Sequence, residues 1–233
     1  LNEQAFIVVL NQHNITAAGT GLTWCIKGNF LYHDSDSLVE QAANGAQITE
    51  GFVDNTVNVY CVPALQPGVA GFACFPPSTC FSVTNDAIQV DLGTFSHEMG
   101  HYFNLLHTFD NDLGDECVDE SNCGIAGDLI CDTPADPTAL TGGNPQYDPG
   151  TCLYTGVLLD ACGSGNPYAP LMNNILSYYS GCRTAFTAEQ INVIIAVALN
   201  ERSNLVTVTC NNEPVQLGAC CMGDNSCIEN QTQ

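Results

Sequence analysis

Basic side chains are almost missing from this chain: Lys27, Arg183 and Arg202 stand against 25 Asp and Glu, leaving a formal net charge of −22. With so little to neutralise phosphates, the composition argues against a nucleic-acid partner and against an anionic membrane surface. Long apolar runs are missing too. No stretch reaches the roughly 18–20 residues that a membrane span requires. No basic leader opens the chain at Leu1-Asn2-Glu3-Gln4, which points to a processed or trimmed form. There is no G-x-S-x-G to mark a serine hydrolase. Cys220, Cys221 and Cys227 make no paired C-x-x-C pattern, which weighs against a cysteine-only zinc module. No internal repeat is evident. The acidity is first a solvated surface, and second a supply of carboxylates for calcium or for attracting basic peptides.

Cysteine, by contrast, is abundant. Fourteen in 233 residues, even in number and scattered through loop-like sequence, indicate disulfides made in an oxidising, secreted setting. A hydrophobic content of 45% supplies a core for one sizeable domain or for two lobes about a cleft. Asn14-Ile15-Thr16 and Asn230-Gln231-Thr232 fit the glycosylation pattern.

The chemistry concentrates in one stretch, His97-Glu98-Met99-Gly100-His101-Tyr102-Phe103-Asn104-Leu105-Leu106-His107. On a helix, His97 and His101 lie one turn apart on the same face, so both imidazoles can reach one metal, with Glu98 beside them. A continuing helix would carry His107 about 240° around and about 9 Å along the axis, out of reach. If His107 is a ligand, the helix must stop near Asn104 and double back. Such a reversal needs a residue at positive φ, where Gly is the default and Asn is well tolerated. A lone His is more often a core or surface residue than a ligand, but three of the chain's five His fall in these eleven residues. Three imidazoles form an open zinc site with one coordination position left for water, whose pKa falls to about 7. Glu98 is then the general base for that water and the acid for the leaving amine.

The spacing H-E-x-x-H-x-x-N-x-x-H resembles the metzincin zinc motif, with Asn104 where that motif has Gly. Gly93-Thr94-Phe95-Ser96 before it and Thr108-Phe109 after it resemble the pappalysin family of metallopeptidases. The resemblance covers roughly residues 20 to 200. Asn174-Ile175-Leu176-Ser177-Tyr178 is similar to the family's Met-turn, N-x-M-D-Y, with Leu176 for Met and Ser177 for Asp. Leu has a similar volume, so the hydrophobic floor under the metal is kept. Tyr178 matches the family Tyr that binds zinc or stabilises the oxyanion; by itself it would be a core aromatic. Gly127-Asp128-Leu129-Ile130-Cys131-Asp132-Thr133-Pro134 is similar to a family segment near structural calcium. The resemblance implies Asp128, Asp132 and Thr133 as hard oxygen ligands, against the plainer alternative of an Asx-type turn. Asp110, Asp112 and Asp115 do not complete an EF-hand loop and are expected to be solvated surface.

The implied fold is α+β: a two-lobed metzincin-type catalytic domain with a twisted mixed sheet, two long helices above the cleft and an irregular, disulfide-rich lower lobe closed by a C-terminal helix. The expected divisions are 1–107 for the upper subdomain, 108–209 for the lower one and 210–233 for a Cys-rich appendage. Phe6-Ile7-Val8-Val9-Leu10 is short and β-branched like a strand, but Leu10-Asn11 resembles the end of the family's first long helix, which favours a helix. Strands are expected at Leu22–Ile26, Val57–Val62 and Ala87–Val90, and a helix at Leu38–Ala46. Gly71–Pro76 resembles the family's edge strand above the cleft, where an extended peptide can pair. Thr187-Ala188-Glu189-Gln190 has the form of a capping box before a last amphipathic helix. Disulfide connectivity does not follow from sequence. The resemblance implies Cys123–Cys162 and Cys152–Cys182, and Cys74–Cys80 would close a small loop. The resulting expectation is a secreted, monomeric zinc endopeptidase acting on protein or peptide substrates, with calcium as a structural ion. The alternative is an inactive peptide-binding module of the same fold. The family further implies a preference for basic residues beside the scissile bond.

Overall fold

The computed structural model describes residues 3–27, 30–32, 37, 40, 41, 44, 51–84 and 92–206. The chain begins with helix α1, Glu3–Thr16. Phe6, Val9, Leu10 and His13 are buried along it, a helical spacing that presents one face to the core and overrides the local β-branched character. A three-stranded mixed sheet follows, built from β1 (Tyr60–Val62), β2 (Gly71–Ala73) and β3 (Phe81–Thr84) in the order β1-β3-β2. β1 runs parallel to β3, and β2 runs antiparallel to it. Helix α2, Leu92–Tyr102, packs against α1, β2 and β3. Beyond it come a two-stranded ribbon of β4 (Tyr147–Asp148) and β5 (Leu153–Tyr154), and a last helix α3, Ala188–Asn200. The architecture is α+β. One core joins the faces of α1, α2 and α3, with Phe81 stacked on Phe95, their ring centroids 5.6 Å apart.

The expected strand Leu22–Ile26 does not form. Its alternation is real, since Leu22, Trp24 and Ile26 pack against the core. But the Trp24 backbone is engaged by a side chain: its N–H donates to Asn14 Oδ1 at 2.7 Å, and its carbonyl accepts from Asn14 Nδ2 at 2.9 Å. An amide side chain thus supplies the pairing that a neighbouring strand would have given. The same bonds give Asn14 a structural role. The Val57–Val62 strand shortens to Tyr60–Val62. The expected strand at Ala87–Val90 lies outside the described residues, as does most of the expected helix at Leu38–Ala46, of which Glu40 and Gln41 are helical.

Thr187 caps α3 through a complete capping box with Gln190, so the four-residue pattern alone located that terminus. Between α2 and α3 the chain is held by cross-links. Cys74–Cys80 and Cys152–Cys182 are paired. Cys162 pairs with Cys117, and Cys123 with Cys131, in place of the implied Cys123–Cys162. Cys131 lies within a tight turn in which the Ile130 N–H and the Thr133 hydroxyl both bond Asp128, and there it meets Cys123.

The decisive local event is the end of α2. Asn104 has φ 71°. The Leu105 N–H donates to the Gly100 carbonyl at 3.0 Å and the Asn104 N–H to the His101 carbonyl at 2.9 Å, which is the Schellman arrangement. Arg202 closes the same terminus: its Nε donates to the Tyr102 carbonyl at 2.7 Å, and its guanidinium lies 3.5 Å over the Tyr102 ring. Asn104→Gly is expected to leave stability nearly unchanged, whereas Asn104→Val places a β-branched residue in the left-handed region and costs about 1–2 kcal/mol. Urea unfolding of the two variants measures this; equal midpoints for both would contradict the turn.

Candidate metal centre

Helix α2 places His97 and His101 on one face, and the reversal at Asn104 brings His107 back to them. The three Nε2 atoms are each 3.1 Å from the other two. His97 Nδ1 lies 2.7 Å from the Ile175 carbonyl, and His101 Nδ1 lies 2.7 Å from the Leu105 carbonyl. A carbonyl only accepts, so both Nδ1 atoms carry the proton and both Nε2 atoms present lone pairs. Two lone pairs facing each other at 3.1 Å repel unless a cation stands between them. Three nitrogens about 2.0–2.1 Å from a tetrahedral zinc are separated by about 3.3 Å, close to the spacing present. Burial pushes all three imidazoles toward the neutral, ligating form: His97 falls well below its usual value, His101 is lowered, and His107 is lowered to about 3. Among the described residues, this is the one group of three that brings its ligand atoms within 4.8 Å of one another. The donor set and its tautomers fit zinc.

Glu98 is buried beside them, 6% exposed. Burial raises its carboxyl to about 8, against the Arg183 charge and a hydrogen bond from the Ala73 backbone N–H. Gly71 makes that position possible, since a Cβ there would stand 2.5 Å from Glu98 Cγ and 2.6 Å from Oε1. The strand β2 therefore both donates to Glu98 and leaves room for it. Gly100 does the same on another face of α2, where a Cβ would be 2.8 Å from Leu176 Cδ2. Leu176 is fully buried beneath the helix. Tyr178 is 41% exposed, its ring 4.9 Å from that of His107 and 4.6 Å from that of Phe109. His97, Glu98, His101, His107 and Tyr178 thus come together, while Asp128, Asp132 and Thr133 belong to a separate turn bonded to the start of α3 through Glu189.

In that turn most of the oxygens are engaged, Asp132 Oδ1 being buried without a hydrogen-bond partner. Thr133 Oγ1 donates to Asp128 at 2.8 Å, and Asp132 Oδ2 accepts from the Glu189 N–H at 2.9 Å. Sequence reasoning missed Glu116 here. It is buried, packed on Gly127, and neither carboxyl oxygen has a hydrogen-bond partner. Burial, with Asp128 and Glu120 nearby, raises it to about 8. Asp110, Asn111, Asp115 and Asp136 line a small cavity with it, so Asp110 and Asp115 are not purely solvated surface. No local motif could have found Glu116, because its setting is assembled from distant segments.

The sequence profile of peptidase family M43, described as pregnancy-associated plasma protein-A, matches residues 45–199. An extracellular metalloprotease of Arthroderma gypseum is 30% identical over 154 residues, 59% of this chain and 45% of that protein. An extracellular metalloprotease of Neurospora crassa is 26% identical over 196 residues, 76% of this chain and 58% of that protein. The chain therefore spans about half the length of the curated relatives it matches. A solved structure of mirolysin in complex with a compound superimposes with a TM-score of 0.54 at 14% identity, covering 88% of this chain and 89% of that one; the shared fold is that of a metzincin.

One zinc per chain is expected by elemental analysis, and none above background in His101→Ala. Equal zinc content in the two proteins would show that the metal sits elsewhere.

Proposed function

Because the chain belongs to the pappalysin-type metallopeptidases of family M43, we propose that it is a secreted zinc endopeptidase with His97, His101 and His107 as metal ligands and Glu98 as general base. The single observation that carries this is the set of three Nε2 atoms at 3.1 Å, beside a buried carboxyl. When bound, zinc supplies Lewis acidity, polarising a carbonyl and bringing the pKa of water to about 7. Glu98 accepts the proton of the attacking water and returns one to the leaving amine. The Ala73 N–H and the tight fit against Gly71 hold its carboxyl in place. Tyr178, on the rim of the site, donates its hydroxyl hydrogen to the oxyanion that develops on the scissile carbonyl. Strand β2 is the edge of its sheet and offers backbone groups to an extended peptide. The upper subdomain, 1–107, and the lower, 108–209, supply opposite walls, while the expected appendage 210–233 lies outside the described residues.

Secretion is supported by the four disulfides among the described residues and by the extracellular relatives. No helix among the described residues is long and apolar enough to cross a membrane. Calcium is proposed as a structural ion in the Asp128–Thr133 region, where the two unpartnered Glu116 oxygens are the best support. A divalent cation there would hold that carboxyl ionised.

Casein hydrolysis is expected to stop on addition of a chelator and to return with zinc. Glu98→Gln should keep zinc and lose about 10²–10⁴-fold in kcat. Full zinc with no hydrolysis by the wild type would favour the inactive peptide-binding alternative. Calcium should raise the melting temperature of the wild type and not of Glu116→Gln; equal shifts in both would remove Glu116 from the site.

A further inference from the structure

Carbonyl groups hold the rings of His97 and His101 by their Nδ1 atoms. His107 has no such support: among the described residues its ring nitrogens lie within hydrogen-bond range of His97 and His101 alone. It also stands outside α2, so helix geometry does not place it. Its ring stacks on Phe109 at 4.7 Å and meets the edge of Tyr178 at 4.9 Å. The backbone of this corner is anchored by the next residue. The Asp110 N–H donates to the His107 carbonyl at 2.9 Å, closing a turn over Thr108 and Phe109. Thr108 is buried, and its hydroxyl donates to Asp136 Oδ2 at 2.8 Å. Asp136 is buried too, and its other oxygen, Oδ1, accepts from the Tyr179 hydroxyl at 2.9 Å. The same Oδ1 accepts from the Thr138 N–H at 3.0 Å and the Thr138 hydroxyl at 2.7 Å, which fixes the carboxyl group in its own turn. Tyr179 is fully buried. Burial first, and then the Asp136 charge, push its phenol upward, so it stays a donor. One side chain thus bonds the residue after the third candidate ligand with one oxygen, and the residue after Tyr178 with the other.

From this arrangement we infer that Asp136 is a positioning residue: through Thr108 it holds His107 to the metal, and through Tyr179 it sets the reach of the Tyr178 hydroxyl. The inference rests on the endopeptidase reading above, and Asp136 itself touches neither metal nor substrate. His107 and Tyr178 come from irregular segments, where a side chain is placed precisely only when supporting bonds hold it. Partners that orient a metal ligand govern its affinity much as the ligand does. Hydrogen bonds to a carboxylate are shorter and about twice as strong as neutral ones, and a buried hydroxyl that loses its acceptor is left unsatisfied. The rings of His107 and Tyr178 are in contact, so a shift of one segment against the other disturbs both.

The test compares wild type with Thr108→Val, Tyr179→Phe, Asp136→Asn and Asp136→Ala. Four quantities are measured: zinc affinity by competition with a chelator, the visible absorption of the Co2+-loaded protein, kcat and KM on a peptide, and the melting temperature. Thr108→Val should bind zinc about 10- to 100-fold more weakly, with a changed cobalt spectrum. Tyr179→Phe should keep the affinity and the spectrum and lose about 10- to 100-fold in kcat at unchanged KM. Asp136→Ala should show both losses. Asp136→Asn, which keeps one carbonyl oxygen, should fall between it and the wild type. Lower melting temperatures with affinity, spectrum and kcat all as in the wild type would make the role structural only and overturn the inference. Equal loss of zinc affinity in Thr108→Val and Tyr179→Phe would overturn it as well. A wild type that binds zinc but hydrolyses nothing removes the endopeptidase reading; the zinc affinity and cobalt spectrum of Thr108→Val then uphold or overturn the inference by themselves. A wild type that binds no metal overturns both. Should the Asp136 variants fail to fold, Thr108→Val and Tyr179→Phe, each lacking one hydroxyl, still decide the question.

Discussion

Two carbonyl groups decide how the centre of this molecule is arranged. The Leu105 carbonyl holds the proton of His101 on Nδ1, and the Ile175 carbonyl does the same for His97. Each leaves a lone pair on Nε2 and fixes the ring that carries it. The Leu105 carbonyl is available only because α2 ends at Tyr102 and the chain reverses through Asn104. The Ile175 carbonyl is available only because the segment bearing Leu176 is seated under Gly100. Helix termination and long-range packing therefore converge on one electrostatic result, two acceptor nitrogens pointed at a common spot with His107 Nε2 3.1 Å from each. That result is unfavourable without a cation, so a metal bound there also stabilises the fold.

Much of this was legible before any coordinates, and the legible part shares one property: its cause lies within a few residues. The reversal at Asn104 follows from the spacing of His101 and His107. The capping box at Thr187 is a four-residue pattern whose two bonds form as the pattern dictates. Helix α1 was favoured only by the likeness of Leu10-Asn11 to the end of the family's first helix, against a local β-branched run, and the chain is helical there. The failures have causes that act across the chain. Leu22–Ile26 alternates as a strand does, yet the residue that engages its backbone is Asn14, ten positions away. Cys123 and Cys162 are both paired, but the partner of each was set by the turn at Asp128 and the fold of the lower segment. Glu116 and Arg183 carry no motif; their significance is that burial and a neighbouring segment give each a setting its own sequence does not encode.

The close approaches around α2 show how function constrains the composition of the core. Gly in the middle of a helix costs about 1 kcal/mol relative to Ala, yet Gly100 admits Leu176 to van der Waals distance of the backbone. Gly71 brings no side chain to β2, yet its lack of Cβ is what lets Glu98 lie against the strand. In both places some packing is given up to let a side chain sit nearer the backbone beside it. Leu176 in the place of the family Met is compatible with this, since what the site asks of that position is volume beneath the helix and no polar atom.

The charge distribution follows the same logic. A chain with 25 acidic and three basic residues forgoes most surface ion pairs at little cost, because exposed ion pairs contribute little in water. Each Arg is instead placed where a permanent positive charge has a specific use. Arg202 satisfies three carbonyls at the end of α2 and packs on Tyr102, and burial lowers its pKa without an acidic partner close by to compensate fully. Arg183 is set beside a buried Glu98 whose ionised form would otherwise be costly, and its charge favours that form. That charge opposes the burial which raises the Glu98 carboxyl, since an opposite charge favours the ionised form that desolvation disfavours.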